Sequence, residues 1–99
     1  MAKVILRKEA IDDLNNIWDY TLEAWSEIQA DKYYEAIKLA CSQIGENPAI
    51  GKRYKLINRN LLGLRTGKHI IFYQIITKDE IEVIRILHEQ MDLTNRLKE

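Results

Sequence analysis

Few residues of this chain have side chains suited to chemistry: His69 and His88, Cys41, and the arginines Arg65 and Arg85. A metal site needs ligands at close, characteristic spacing, and one Cys with two separated His does not supply it. Cys41 falls on the apolar stripe of a helical segment and reads as core, where a free thiol behaves as a small hydrophobe. No Gly-x-Ser-x-Gly elbow, Cys–His arrangement or Gly-rich phosphate loop is present, so nucleophilic and nucleotide chemistry have no motif to rest on. Arg85 stands in a largely apolar stretch, Ile81 to Leu87. It needs either a partner carboxylate, as a structural ion pair, or an opening to solvent, as a site residue.

Charge distribution is more informative than total charge. The sequence has 15 Lys and Arg and 15 Asp and Glu, a net charge of zero. Residues 1–50 carry five basic and nine acidic residues, and residues 51–99 carry ten and six, so the halves stand at −4 and +4. From Asn47 to Lys78 there is no acid, while Lys52, Arg53, Lys55, Arg59, Arg65, Lys68 and Lys78 all fall there, with His69. Such a stretch is either a solvated loop and hairpin or a positive face for phosphates or an acidic protein segment. It lacks the aromatic interleaving of a single-strand-binding sheet and any helix-turn-helix signal, so direct nucleic-acid binding is not expected.

These residues must be positioned by a small set of elements. Lys3 to Arg7 is a β-branched run and predicts a strand. From Glu9, the apolar positions Ile11, Leu14, Trp18, Leu22 and Trp25, widened by Ala10 and Ile17, recur at helical spacing. Trp18 and Trp25 share that face, for packing or for contact with a partner. Ser26-Glu27-Ile28-Gln29 forms a capping box that starts a second helix near Glu27. Its stripe is Ala30, Tyr33, Tyr34, Ile37, Ala40, Cys41 and Ile44, and Gly45 followed by Pro48 predicts its end. The short link makes the two helices an antiparallel hairpin.

After a polar loop from Glu46 to about Asn60, three strands are predicted: Leu61–Arg65, His69–Ile76 and Glu80–His88, joined by hairpin-length turns. The middle one is almost wholly apolar, as a central strand buried on both faces would be. Simple alternation puts Arg85 on one face with Ile81, Val83 and Leu87, and His88 on the other with Ile84 and Ile86. Leu93 and Leu97 allow one or two helical turns in the tail. The order is β-α-α-β-β-β, a two-layer α+β fold with a helical hairpin on one face of an antiparallel sheet. The first strand is expected to pair antiparallel to whichever neighbour it meets. Apolar residues on both faces of the last strand predict sheet surface that the two helices leave bare, for a protein partner to cover.

Several segments together resemble the ParE toxins of bacterial type II toxin–antitoxin modules. They are Leu14 to Tyr20, Trp25, Gln29-Ala30, Tyr33-Tyr34, Cys41, Pro48, Gly51, Gly63-Leu64-Arg65, His69-Ile70-Ile71-Phe72-Tyr73 and Arg85 to Asp92. The resemblance spans nearly the whole chain. It implies the RelE/ParE fold and a plasmid-stabilisation type of toxin that inhibits DNA gyrase by binding. It also implies a cognate antitoxin whose C-terminal segment folds on the toxin. It makes Arg59, Arg65, His69, Tyr73, Arg85, His88 and Met91 the candidates for antitoxin or target contact. Lys8 departs from the Ser or Thr expected near that position as a helix cap, and Thr94 to Glu99 matches no assignable feature. The alternative is the RelE branch, a ribosome-dependent mRNA endoribonuclease. There Arg65 and Arg85 would hold phosphate and His88 would serve as acid or base. That branch carries a Tyr near the end of the last strand, and this chain has none after Tyr73. A non-toxic binding module of the same fold is a third reading.

Length and composition set the outer bounds. Ninety-nine residues make one domain, 1–99, with a single modest core. The hydrophobic share of 46% and charged share of 30% are those of a folded globular chain. One Cys forms no internal disulfide, which suits a reducing compartment. No apolar run approaches the roughly 20 residues of a membrane helix, and the N-terminal run is too short for a signal peptide. The expectation is a cytoplasmic protein without cofactor or metal.

Overall fold

The computed structural model describes residues 2–97. Strand β1 (Lys3–Leu6) leads into helix α1 (Lys8–Ala24) and helix α2 (Glu27–Glu46). A 3-10 turn (Pro48–Ile50) and four strands follow: β2 (Lys52–Arg53), β3 (Leu62–Thr66), β4 (His69–Thr77) and β5 (Glu80–His88). A short helix, α3 (Leu93–Leu97), comes last. The last two residues of the tail segment Thr94–Glu99 lie outside the described residues.

The second helix begins where its capping box places it. The Ser26 hydroxyl accepts from the Gln29 backbone N–H at 3.1 Å. The first helix starts from Arg7 with no side-chain cap, as Lys8 in place of a hydroxyl residue implied. Gly45 does not end α2 as expected, because the helix runs one residue further, with Asn47 as its C-cap. Gly45 is instead a close-approach residue. A Cβ there would stand 3.0 Å from the Ala2 carbonyl oxygen and 3.0 Å from Val4 Cγ2, and Ala2 N–H donates to its carbonyl at 3.0 Å.

The sheet order is β1-β5-β4-β3-β2. Three of its four pairings are antiparallel, but β1 runs parallel to β5, from Lys3 opposite Glu80 to Leu6 opposite Val83. This corrects the expected all-antiparallel sheet. The segment read as one polar loop contains β2, which pairs antiparallel with β3. That additional pass reverses the direction of every later strand relative to β1.

Each face of the sheet carries its own core. On the helix face, Ala10, Leu14 and Ile17 of α1 and Ile37, Ala40 and Ile44 of α2 pack on Ile71, Tyr73, Ile81, Val83 and Ile86. The buried line of α1 is therefore only part of the expected stripe, Ala10, Leu14 and Ile17. Ile11 is exposed, Trp18 is half-buried, and Trp25, already past the helix end, is 74% exposed. Small Ala10, fully buried, permits the close approach that selects this line. The far face is not bare. Leu61, Ile70, Phe72 and Leu87 are buried there under Tyr54, Ile57, Leu93 and Leu97. The tail helix and the loop after β2 thus supply the cover expected from a partner. As expected, β4 is central and buried on both faces from Ile70 to Tyr73.

A bulge changes the facing of β5. Phe72 stands opposite Arg85 and Tyr73 opposite Val83, leaving Ile84 as the additional residue. Ile81, Val83 and Ile86 therefore share the helix-face core while Leu87 joins the far one, contrary to simple alternation.

Candidate functional site

β1 is too short to accompany β5 to its end, since their pairing stops at Val83. Beyond it, α1 takes over the edge through one side chain. Asp13 accepts from Arg85 Nε at 2.7 Å and Arg85 Nη2 at 2.9 Å, and from the Ile86 backbone N–H at 3.0 Å. One carboxylate thus neutralises a largely buried guanidinium in a two-point contact and satisfies an edge amide. Of the two readings left open for Arg85, the structure contains the ion pair. Asp13 is not among the sequence candidates. No local spacing marks a partner so remote along the chain.

At the end of the same strand, His88 stands opposite His69 of β4, with the two rings edge to face and 5.2 Å apart. Tyr33 of α2 reaches this pair, its hydroxyl 2.6 Å from His69 Nδ1, 3.1 Å from the Thr66 carbonyl and 3.1 Å from the Lys68 N–H that donates to it. One assignment satisfies all three contacts. His69 Nδ1–H donates to Tyr33, which accepts from Lys68 and donates to Thr66, leaving His69 Nε2 as an acceptor. Gln90 N–H donates to His88 Nδ1 at 3.1 Å. Burial, aided by the neighbouring His88 and opposed by Asp13, pulls the His69 pKa down to about 4. Burial likewise raises the Tyr33 phenol against the backbone N–H bonds it accepts.

Two open cavities of about 550 Å³ each flank the histidines and share Tyr20, His69 and His88 as walls. Asp13, Arg85 and Met91 line one of them, and Trp25, Tyr33 and Lys68 line the other. Tyr20 and Trp25 are exposed at the rim. No group of three or more His, Cys, Asp or Glu side chains able to hold a metal ion occurs among the described residues.

A family model described as the ParE toxin of the type II toxin–antitoxin system, parDE, matches residues 4–93. The chain belongs to the ParE toxin family. It is 31% identical over 96 residues to Toxin ParE1 of Mycobacterium tuberculosis, covering 97% of this chain and 98% of that one. It is 29% identical over 87 residues to Toxin ParE1 of Caulobacter vibrioides, covering 88% of each chain. A solved structure titled as the chromosomal ParDE TA system from P. aeruginosa has the same fold, with a TM-score of 0.75 at 17% identity. The match covers 89% of this chain and 96% of that one.

On this ParE-family fold the sequence candidates divide. His69, Arg85, His88 and Met91 come together around the cavities. Arg65 lies on β3, its guanidinium paired with Glu89, and Arg59 is exposed in the loop after β2, apart from that group. Tyr73 is corrected as a contact candidate. It is fully buried, donating to the Pro48 carbonyl at 2.7 Å and accepting from Gly51 N–H at 2.9 Å, so it fixes the turn after α2. Tyr33, on the apolar stripe of α2 and in a segment that carries the resemblance but not among the site candidates, belongs with the histidines. Cys41 packs against the helix-face core, where burial pushes its thiol up to about 11.

Proposed function

We propose that this chain is a toxin acting by stoichiometric binding to DNA gyrase in the cytoplasm, and that a cognate antitoxin neutralises it. Residues 1–99 form the one toxin domain. Family membership over nearly the full length supports the toxin and its antitoxin partner. The observation that carries the non-catalytic reading is that both arginines suited to a phosphate already face carboxylates, Arg85 on Asp13 and Arg65 on Glu89. His69, with its pKa near 4, is not an imidazolium at neutral pH and offers no positive charge to phosphate. No helix of the described residues is long and apolar enough to cross a membrane.

The purified chain is expected to inhibit supercoiling by gyrase and to leave cell-free translation intact. Loss of translation with unaffected supercoiling would reverse the order. The ribonuclease reading keeps one observation in its favour, the grouping of Tyr33, His69 and His88 beside open cavities. It requires that His88→Gln abolish toxicity while the fold persists.

A further inference from the structure

The two histidines present opposite polar atoms side by side. His69 donates from Nδ1 to the Tyr33 hydroxyl, so its Nε2 is an acceptor. His88 accepts at Nδ1 from the Gln90 N–H, so its proton sits on Nε2, which is a donor. Neither Nε2 has a hydrogen-bond partner among the described residues, and no buried side-chain nitrogen there is left unpartnered. Both atoms are therefore open, and the spaces these rings border are the two cavities of about 550 Å³. The rings stand 5.2 Å apart, so one small molecule can meet both. One of the two cavities adds aromatic and positively charged walls. Tyr20 and Trp25 stand at its rim, 69% and 74% exposed. Lys68 lines it too, and takes part in none of the ion pairs among the described residues. Gly67, at φ 59°, lays its turn against the Tyr33 ring, where a Cβ would stand 2.6 Å from Cε1. That turn sets Lys68 beside the histidines, its N–H donating to Tyr33.

We propose that this cavity binds a free nucleoside monophosphate, its base between the aromatic rim and the two histidines and its phosphate on Lys68. A ligand for these walls is flat, to stack on Tyr20 or Trp25. It carries a donor and an acceptor on one edge, to meet His69 Nε2 and His88 Nε2–H. Nucleobases have both properties. The cavity volume is that of a small-molecule site. Burial keeps His69 neutral at neutral pH, so it accepts from an N–H of the base and leaves the phosphate to Lys68. Held by its base, the ligand needs no Gly-rich phosphate loop. A nucleic-acid strand is the poorer occupant, because strand binding repeats cations and stacking rings along a groove. Among the described residues, Lys68 is the one Lys or Arg that lines this cavity. Binding breaks no bond. It is separate from the gyrase reading and does not depend on it.

The test titrates the purified chain with the monophosphates of adenosine, guanosine, cytidine and uridine, read by tryptophan fluorescence and by NMR of the histidine ring nitrogens. At least one is expected to quench fluorescence saturably and to shift His69 Nε2 and His88 Nε2 together. Trp25→Ala should remove the quenching and weaken binding, followed by NMR, about tenfold. Lys68→Ala should weaken the monophosphate about threefold to tenfold, with the loss diminishing at high salt, and leave binding of the nucleoside unchanged. Both side chains are exposed, so both variants keep the fold. Phenyl phosphate has the ring and the phosphate without the donor and acceptor edge, and should bind far more weakly. Equal binding of phenyl phosphate overturns the base reading. A single-stranded oligonucleotide whose affinity grows with its length makes the occupant a strand and overturns the proposal. So does the absence of both quenching and shifts with all four monophosphates at millimolar concentration, which leaves the toxin reading standing.

Discussion

The outer edge of β5 is closed in two different ways. From Glu80 to Val83 it is closed by β1, through a ladder of repeated backbone bonds. Further on, at Arg85 and Ile86, it is closed by α1, through the single carboxylate of Asp13. A ladder distributes its stabilisation over several equivalent bonds and depends little on residue type. The carboxylate concentrates it at one point, where one substitution removes the group that a mostly buried guanidinium and an edge amide share. The second closure is the one adjoining the histidine cavities, so the corner that holds the candidate site is the less redundant half of the strand.

Breaking the carboxylate closure should give the largest effect. Asp13→Ala is expected to cost about 3 kcal/mol in denaturant unfolding. Hydrogen exchange at Ile86 should accelerate strongly while Lys3 and Arg7 amides stay protected; uniform acceleration would show that the two halves of the edge open together.

Acid should next distinguish the halves. The His69 pKa is depressed from 6.5 to about 4 in the folded chain, so the unfolded chain binds the proton more readily. Stability is therefore full above pH 6.5 and declines as pH falls toward 4. His69→Gln should flatten this part of the pH–stability profile, and an unchanged slope would place the titrating group elsewhere. Removing the hydroxyl in Tyr33→Phe should cost roughly 1–2 kcal/mol, since Thr66 and Lys68 lose their partner along with His69. Its thermal shift should be accompanied by a changed His69 titration in NMR.

The smallest effect is expected far from both closures. Ser26→Ala removes the α2 cap and should cost about 1 kcal/mol, with no preferential change in exchange at Ile86 or Lys3. A null thermal shift would mean that the start of α2 is held by the helix hairpin itself.

What could be read from the sequence follows the range of the interactions involved. The cap at Ser26, the helical stripe from Ala30 to Ile44 and the apolar run of β4 all depend on neighbours within a few residues, and all appear where expected. Cys41 packs as core for the same reason. Gly45 was misread because a glycine near a helix end has two uses, termination and close approach, and only the position of β1 selects between them. β2 was missed because two basic residues show no strand period. Of the candidate site, His69, Arg85, His88 and Met91 were legible as a set through the resemblance, whereas Asp13 and Tyr33 were not. Both act on partners in remote segments, and local periodicity carries no information about which distant residue a side chain will meet.

By itself the sequence determined the two long helices, β1 and the last three strands, their order, the helical hairpin and the family, because local periodicity, capping and motif spacing are encoded in adjacent residues. Only the tertiary structure decided the direction of β1 against β5, the bulge at Ile84, the cover on the far face and the partner of Arg85. Each of these is a choice among arrangements of similar local energy. The choice is made by which remote surfaces can be packed and which buried polar groups can be satisfied together.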